Sequence, residues 1–232
     1  MKAQLFSAVL LASLWPAAPA ARAQFEHPDI KSGKRVVRSA VILPAQVSIM
    51  KAGVKSNEPL IEEGMQVEAA LPKMIARVME ARGCKVMDSP FTAEALAKDP
   101  ELKYTINDLQ TRFDAVGEQL ERKPKDVRKG RFTLGDEVTK VNTSGAEALV
   151  FVRANGFLST GGKKAFAILI GGPGLVEMVQ VSVTVVDGQT GAVLYHGRSI
   201  TTGNFVKDPF SMEKRIDGSF KNFQKGAKGK KT

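Results

Sequence analysis

The side chains with the greatest chemical potential in this sequence are one thiol, Cys84, and two imidazoles, His27 and His196. Nucleophilic catalysis needs a base held beside the nucleophile, and neither histidine lies near Cys84 in sequence. The setting Gly83-Cys84-Lys85-Val86-Met87 reads as the start of a buried strand, in which cysteine serves as a small core hydrophobe. A reactive thiol and a dimer-forming disulfide are the other readings. His196 follows Tyr195 within an apolar strand and is expected at a strand edge or an interface rather than as a base. There is no Gly-x-Ser-x-Gly elbow. One cysteine and two histidines leave no ligand set for a CxxC redox site or a multi-His or Cys-cluster metal site. The sequence implies no catalytic residue, no metal and no cofactor.

Phosphate chemistry is argued against on spacing. Gly156-Phe157-Leu158-Ser159-Thr160-Gly161-Gly162-Lys163-Lys164 follows a strand, but an extra glycine precedes Lys163 and Lys164 stands where a magnesium-binding hydroxyl belongs. Gly171-Gly172-Pro173-Gly174 precedes a strand, whereas a dinucleotide fingerprint opens a helix. The acid pairs Glu62-Glu63 and Asp136-Glu137 fall in first turns of helices, where the dipole favours negative charge without any catalysis. Arg122, Lys123, Lys125, Arg128, Lys129 and Arg131 form a basic run with a single acid, Asp126. Together with the Lys-rich end of the chain it could contact a polyanion by counterion release; solvated charge for solubility is the alternative. Asn142-Thr143-Ser144 matches a glycosylation sequon.

These residues sit in a chain of 232 residues with 34 basic and 24 acidic side chains, 43% hydrophobic and 25% charged. That is ordinary globular composition, and the length suits one domain, or two small ones, with a real core. The first residues read as an address. Met1-Lys2 is followed by an apolar, small-residue stretch to Ala20 and by Ala21-Arg22-Ala23, an A-x-A site. This is the pattern of a secretory signal peptide cut between Ala23 and Gln24. Its apolar centre is shorter than the roughly 20 residues of a spanning helix, and no cysteine follows it to accept a lipid. The expected product is exported, to the periplasm in the first instance, with release or attachment to a membrane surface as alternatives.

The expected organisation is a signal peptide (1–23), a flexible segment (24–34), a single α/β domain (35–224) and a disordered Lys-rich tail (225–232). Strands are expected near 36–43, 84–88, 147–153, 176–186 and 192–201, and helices near 60–82, 100–121 and 209–224. The helical spacing of Leu60, Val67, Leu71, Met74, Ile75, Val78 and Met79 marks the first long helix, with Gly83 as its stop. Pro72 should kink or divide it. Asp99-Pro100 is an N-cap followed by proline at the first helical position. Leu102, Ile106, Leu109, Phe113, Val116 and Leu120 then form an a/d stripe that faces either the core or a partner helix. Thr133 with Asp136 resembles a capping box that opens a short helix. Gln46–Met50 reads as an edge strand. Val179, Val181, Val183 and Val185 alternate with polar residues, and Asp187–Gly191 turns the chain into a returning strand. The fold class is α/β: a mixed sheet with a βαβ-like N-terminal half and an antiparallel C-terminal hairpin, helices packed on the sheet.

Two segments carry a resemblance. Gly145-Ala146-Glu147-Ala148-Leu149-Val150-Phe151-Val152 is similar to the "GADALV" strand of the superfamily of bacterial envelope proteins that includes CsgG-like, LpoB-type and TolB amino-terminal-like domains. Val185-Val186-Asp187-Gly188-Gln189-Thr190-Gly191-Ala192-Val193-Leu194-Tyr195 resembles their "V-D-x-x-T-G-x-V-L-W" hairpin. The resemblance implies an α/β sandwich that acts without catalysis, as an adaptor or assembly component of the cell envelope. It would work through protein contacts or self-association, by a sheet edge, the 155–174 loop or the a/d helix. Anionic lipid or polysaccharide are further candidate partners, and export argues against nucleic acid. Two other classes remain: an envelope hydrolase with an unidentified active site, and a polyanion-binding module.

Overall fold

The computed structural model describes residues 24–51, 58–122, 126, 129–158, 177–202 and 209–225. Its spine is β6 (Ala148–Leu158), eleven residues opening on the β-branched and aromatic run Ala-Leu-Val-Phe-Val. β6 is long enough to hold two strands end to end on one side. β2 (Ser39–Ile42) runs parallel to its first half, Ala40 opposite Ala148. β3 (Gln46–Lys51) runs parallel to its second half, Gln46 opposite Arg153 and Lys51 opposite Leu158. β5 (Lys85–Val86) extends the sheet beyond β2 in parallel, and β4 (Glu58–Pro59) pairs antiparallel with β3. On the other side β7 (Met178–Asp187) and β8 (Val193–Thr202) are antiparallel neighbours, and β1 (Gln24–Glu26) closes that edge. The expected mixed sheet, parallel in its N-terminal half and a hairpin in its C-terminal half, is the observed one.

Helices cover both faces. On one lies α2 (Ile61–Glu80), whose Val67, Leu71, Met74, Ile75, Val78 and Met79 are buried at helical spacing. Beside it lies α6 (Pro209–Ser219), whose Met212 and Ile216 are followed into the core by Phe220 and Phe223. Arg82, just past α2, ties the two together through the carbonyls of Phe220 and Asp217. On the other face α4 (Pro100–Arg122) buries Ile106, Leu109, Phe113 and Leu120 against Val41, Leu149, Phe151 and Val186. Asp99 caps α4, accepting the Leu102 N–H at 2.9 Å. Two short helices, α3 (Ala93–Lys98) and α5 (Val138–Val141), flank it, and α1 (Pro28–Lys31) follows β1.

Several expectations are corrected. Residues 24–34 carry β1 and α1, with Phe25 and Ile30 buried; a three-residue strand is too short for periodicity to reveal, and Phe25 alone anchors it. Over its first residues Gln46–Met50 is the expected edge strand, paired with β6 alone among the described residues, and only its end, at Met50 and Lys51, is covered by β4. α2 is one helix across Pro72. The lost hydrogen bond costs about 3 kcal/mol, and the burial of six large apolar side chains, each roughly 1.5–3 kcal/mol, outweighs it. The a/d stripe of α4 faces the core, the first of its two expected readings. The capping box does not form: Thr133 bridges to Ala192 and donates to the Thr190 carbonyl, leaving α5 without a side-chain cap. β7 alternates in burial only as far as Ser182; beyond it α4 covers the second face and Val183–Asp187 are all buried.

Candidate functional site

The residues with the strongest chemical potential are sealed and apart. Cys84 is fully buried under α2, and burial, followed by the charges of Glu147 and Glu80, pushes its thiol up to about 12. A thiol that reluctant to ionise is a core atom. His196 lies in β8 between β7 and β1, not at an edge. It stacks on Phe25 with ring centres 6.1 Å apart, and its Nδ1 lies 2.7 Å from the Thr184 hydroxyl. Burial, with Arg198 as a second cause, lowers its pKa to about 4, so the ring is neutral. His27 instead caps α1, its Nδ1 accepting the Asp29 N–H at 3.2 Å.

The hairpin turn is built from side chains rather than set up for chemistry. Asp187 Oδ1 accepts the N–H groups of Gln189 and Thr190, each at 2.8 Å, and its other oxygen pairs with Arg35. Burial pushes the carboxyl up, but the two N–H groups and Arg35 prevail and hold it below its ordinary range. Gly191 has φ +69, and a Cβ there would overlap the Gly135 backbone, so only glycine turns this corner. This is the physical content of the D-x-x-T-G pattern. Asn142, first residue of the sequon, is equally engaged. Its Nδ2 donates to the carbonyls of Ala146 and Gly188, and its Oδ1 accepts the Ala146 N–H. The amide nitrogen that a glycan would occupy is committed to the fold.

Of the basic run, Arg122 ends α4, Lys129 and Arg131 lie in the following turn, and Arg131 reaches Asp126 at 3.9 Å. Lys123, Lys125 and Arg128 lie outside the described residues, as do Ala23 and residues 159–176 with Lys163. Gly156, Phe157 and Leu158 belong to the end of β6. Glu62 and Glu63 sit in the first turn of α2 as expected; Glu137 precedes α5 and pairs with Lys140 at 2.7 Å.

What the fold does present is a groove of about 550 Å³ at the carboxyl ends of β2 and β5, the end of an open α/β sheet where ligands seat. Its floor is apolar: Ile42, Leu43, Val86, Met87 and Phe91, with Pro44, Pro72 and Ala76 as walls. Lys73, Glu80 and Asp88 stand on its rim, all exposed. Beside it β5 ends the sheet among the described residues. The N–H groups of Lys85 and Met87 donate to Arg38 and Ala40 of the β2 side. Main-chain groups alternate along a strand, so the N–H and C=O of Val86 point away from the sheet. The sequence gives little sign of this groove. The prolines, Pro44 after an apolar strand and Pro72 on a helix face, were its visible marks.

No family model matches the chain, and no curated protein matches it. Among solved structures, two PelC dodecamers from Paraburkholderia phytofirmans are 14% identical to it. The first, a point variant, covers 87% of this chain and 96% of its own, with a TM-score of 0.39; the second covers 87% and 95%, at 0.38. The lipoprotein GNA1162 from Neisseria meningitidis is also 14% identical, covering 72% of this chain and 81% of its own, at a TM-score of 0.32. Likenesses this slight carry no inference about substrate, partner or assembly.

Proposed function

We propose that this chain is an exported, non-enzymatic component of a bacterial cell envelope that works by binding another protein. Its partner contributes an extended segment that pairs with the outward main-chain groups of Val86 and sets an apolar side chain into the groove beside it. The observation that carries this reading is the juxtaposition of an open strand edge with an apolar groove whose ionisable groups stand only on its exposed rim. Main-chain pairing supplies affinity in such an arrangement and the side-chain pocket supplies selectivity. The signal-like segment that ends at Ala23 supports export. The sealed Cys84 and His196 argue against the hydrolase reading, because neither can meet a substrate.

The test is restoration of a deletion strain. Cys84→Ser and His196→Gln should restore wild-type behaviour. Ala76→Arg, which projects a charge into the groove, should fail to restore it while melting as the wild type does. Restoration by Ala76→Arg, or failure of a well-folded Cys84→Ser, would overturn the reading. Mass spectrometry of the purified chain should find Gln24 at its amino terminus.

A further inference from the structure

A second groove, of about 250 Å³, lies between β3 and the first turns of α2. It follows an open strand edge. Main-chain groups alternate in direction along a parallel strand. The Ile49 carbonyl points away from β6 and accepts the Leu60 N–H at 2.8 Å, so Val47, two residues earlier, also turns its N–H and C=O outward. Among the described residues no strand pairs with that side of Val47, since β4 covers only Met50 and Lys51. The groove wall is apolar, with Val47, Leu60, Ile61 and Met65 on it. Ile61 is 71% exposed and Met65 64%, and a folded chain normally covers such side chains. Gly64 lines the same wall, and a Cβ there would meet nothing within 4 Å. The rim is acidic. Glu68 lines the groove, and Glu62 and Glu63 stand in the first turn of α2. None of these three is in an ion pair among the described residues, and Glu58 of β4, which is, has Lys51 at 3.1 Å. In a chain with ten more bases than acids, that is a local reversal of charge.

We propose that this groove takes an extended segment of a partner protein in which basic residues flank a short apolar run. The segment adds a strand to the β3 edge at Val47 and sets its apolar side chains against Ile61 and Met65. Its bases stand opposite Glu62, Glu63 and Glu68, and that complementarity selects it over acidic or neutral segments. The same acids repel anionic lipid and anionic polysaccharide, and neither of those would pair with the Val47 main chain. This site is separate from the groove beside β5. β2 and β3 lie along different halves of β6, so the two grooves can be occupied together and blocked one at a time.

A fluorescein-labelled peptide, Lys-Lys-Val-Phe-Val-Lys-Lys, tests this by fluorescence anisotropy on the purified chain. It should bind at least ten-fold more tightly than Glu-Glu-Val-Phe-Val-Glu-Glu and than Lys-Lys-Gly-Ser-Gly-Lys-Lys, which separate the contributions of charge and of apolar contact. Gly64→Phe puts a ring into the groove from a helix position with room for it, and should weaken binding at least five-fold. Glu62→Lys with Glu68→Lys should do the same, as should salt at about 0.5 M, which screens the rim. Ala76→Arg, in the other groove, should leave binding unchanged, so failure here is distinct from failure of the β5 site. Circular dichroism and melting confirm that each variant is folded. A peptide that binds no better than either control, or equally well to a folded Gly64→Phe or to the folded charge variant, overturns the proposal. Concentration-dependent self-association of the wild-type chain that Gly64→Phe abolishes would give the groove to a second copy, and overturns it as well.

Discussion

His196 is held neutral inside the sheet, and that has a consequence for stability. Its folded pKa, about 4, lies below the ordinary value of 6.5. Above pH ~6.5 the imidazole is neutral in both folded and unfolded chains and exacts no cost. As pH falls from there toward 4, the unfolded chain takes a proton that the folded chain refuses. Stability is therefore lost across that window, by about 3 kcal/mol in all. His196→Gln cannot take the proton, so the difference in unfolding free energy between variant and wild type should move by most of that amount, about 2.5 kcal/mol, between pH 7.5 and 4.5. Urea titrations across the range measure it, and parallel curves would contradict the account. At this scale legibility was uneven. Cys84 read correctly from its apolar neighbours. His196 did not, because its cover, Phe25 in β1, lies 171 positions earlier in the chain. Asn142 looked like a modification site because a tripeptide cannot show that its amide binds Gly188, 46 residues away.

The elements were easier to read where burial imposes one period over many residues. α2 and α4 each hold an apolar stripe across several turns, β6 opens on a continuous apolar run, and β7 alternates valine with polar residues at the period of a strand. The short pieces, β1, β4 and α3, are fixed by tertiary contacts and left no periodic trace. The a/d stripe of α4 gives the sharpest test of the packing. Leu109 is fully buried against the sheet, and Tyr104, on the same helix, is 74% exposed. Leu109→Ala should cost about 2–5 kcal/mol through lost burial and a cavity, and Tyr104→Ala should stay within about 0.5 kcal/mol of wild type. Comparable costs for the two in chemical denaturation would mean that the stripe faces something other than the sheet.

Across the whole molecule, the topology explains why the binding surface sits where it does. β6 is shared end to end by β2 and β3, so the sheet beyond them splits into two short strands, β5 and β4, at separate points of one edge. Neither can be long, and β5 leaves the Val86 main-chain groups facing outward beside an apolar groove. The fold class and the hairpin were legible in the order of strands and turns; this groove was not, because Pro44, Pro72 and Phe91 meet only once the sheet has formed. The central claim is that the groove and the β5 edge together hold a protein partner. A photo-crosslinking amino acid at Lys73, on the groove rim, tests it in intact cells, with the same probe at Tyr104 on the opposite face as control. The account predicts a discrete adduct with one protein, attached within an extended apolar segment, absent at Tyr104, and lost in Val86→Pro, which removes the outward N–H but none of the bonds to β2. An adduct with lipid or glycan alone, no adduct beyond the Tyr104 control, or an adduct unchanged by Val86→Pro would contradict it.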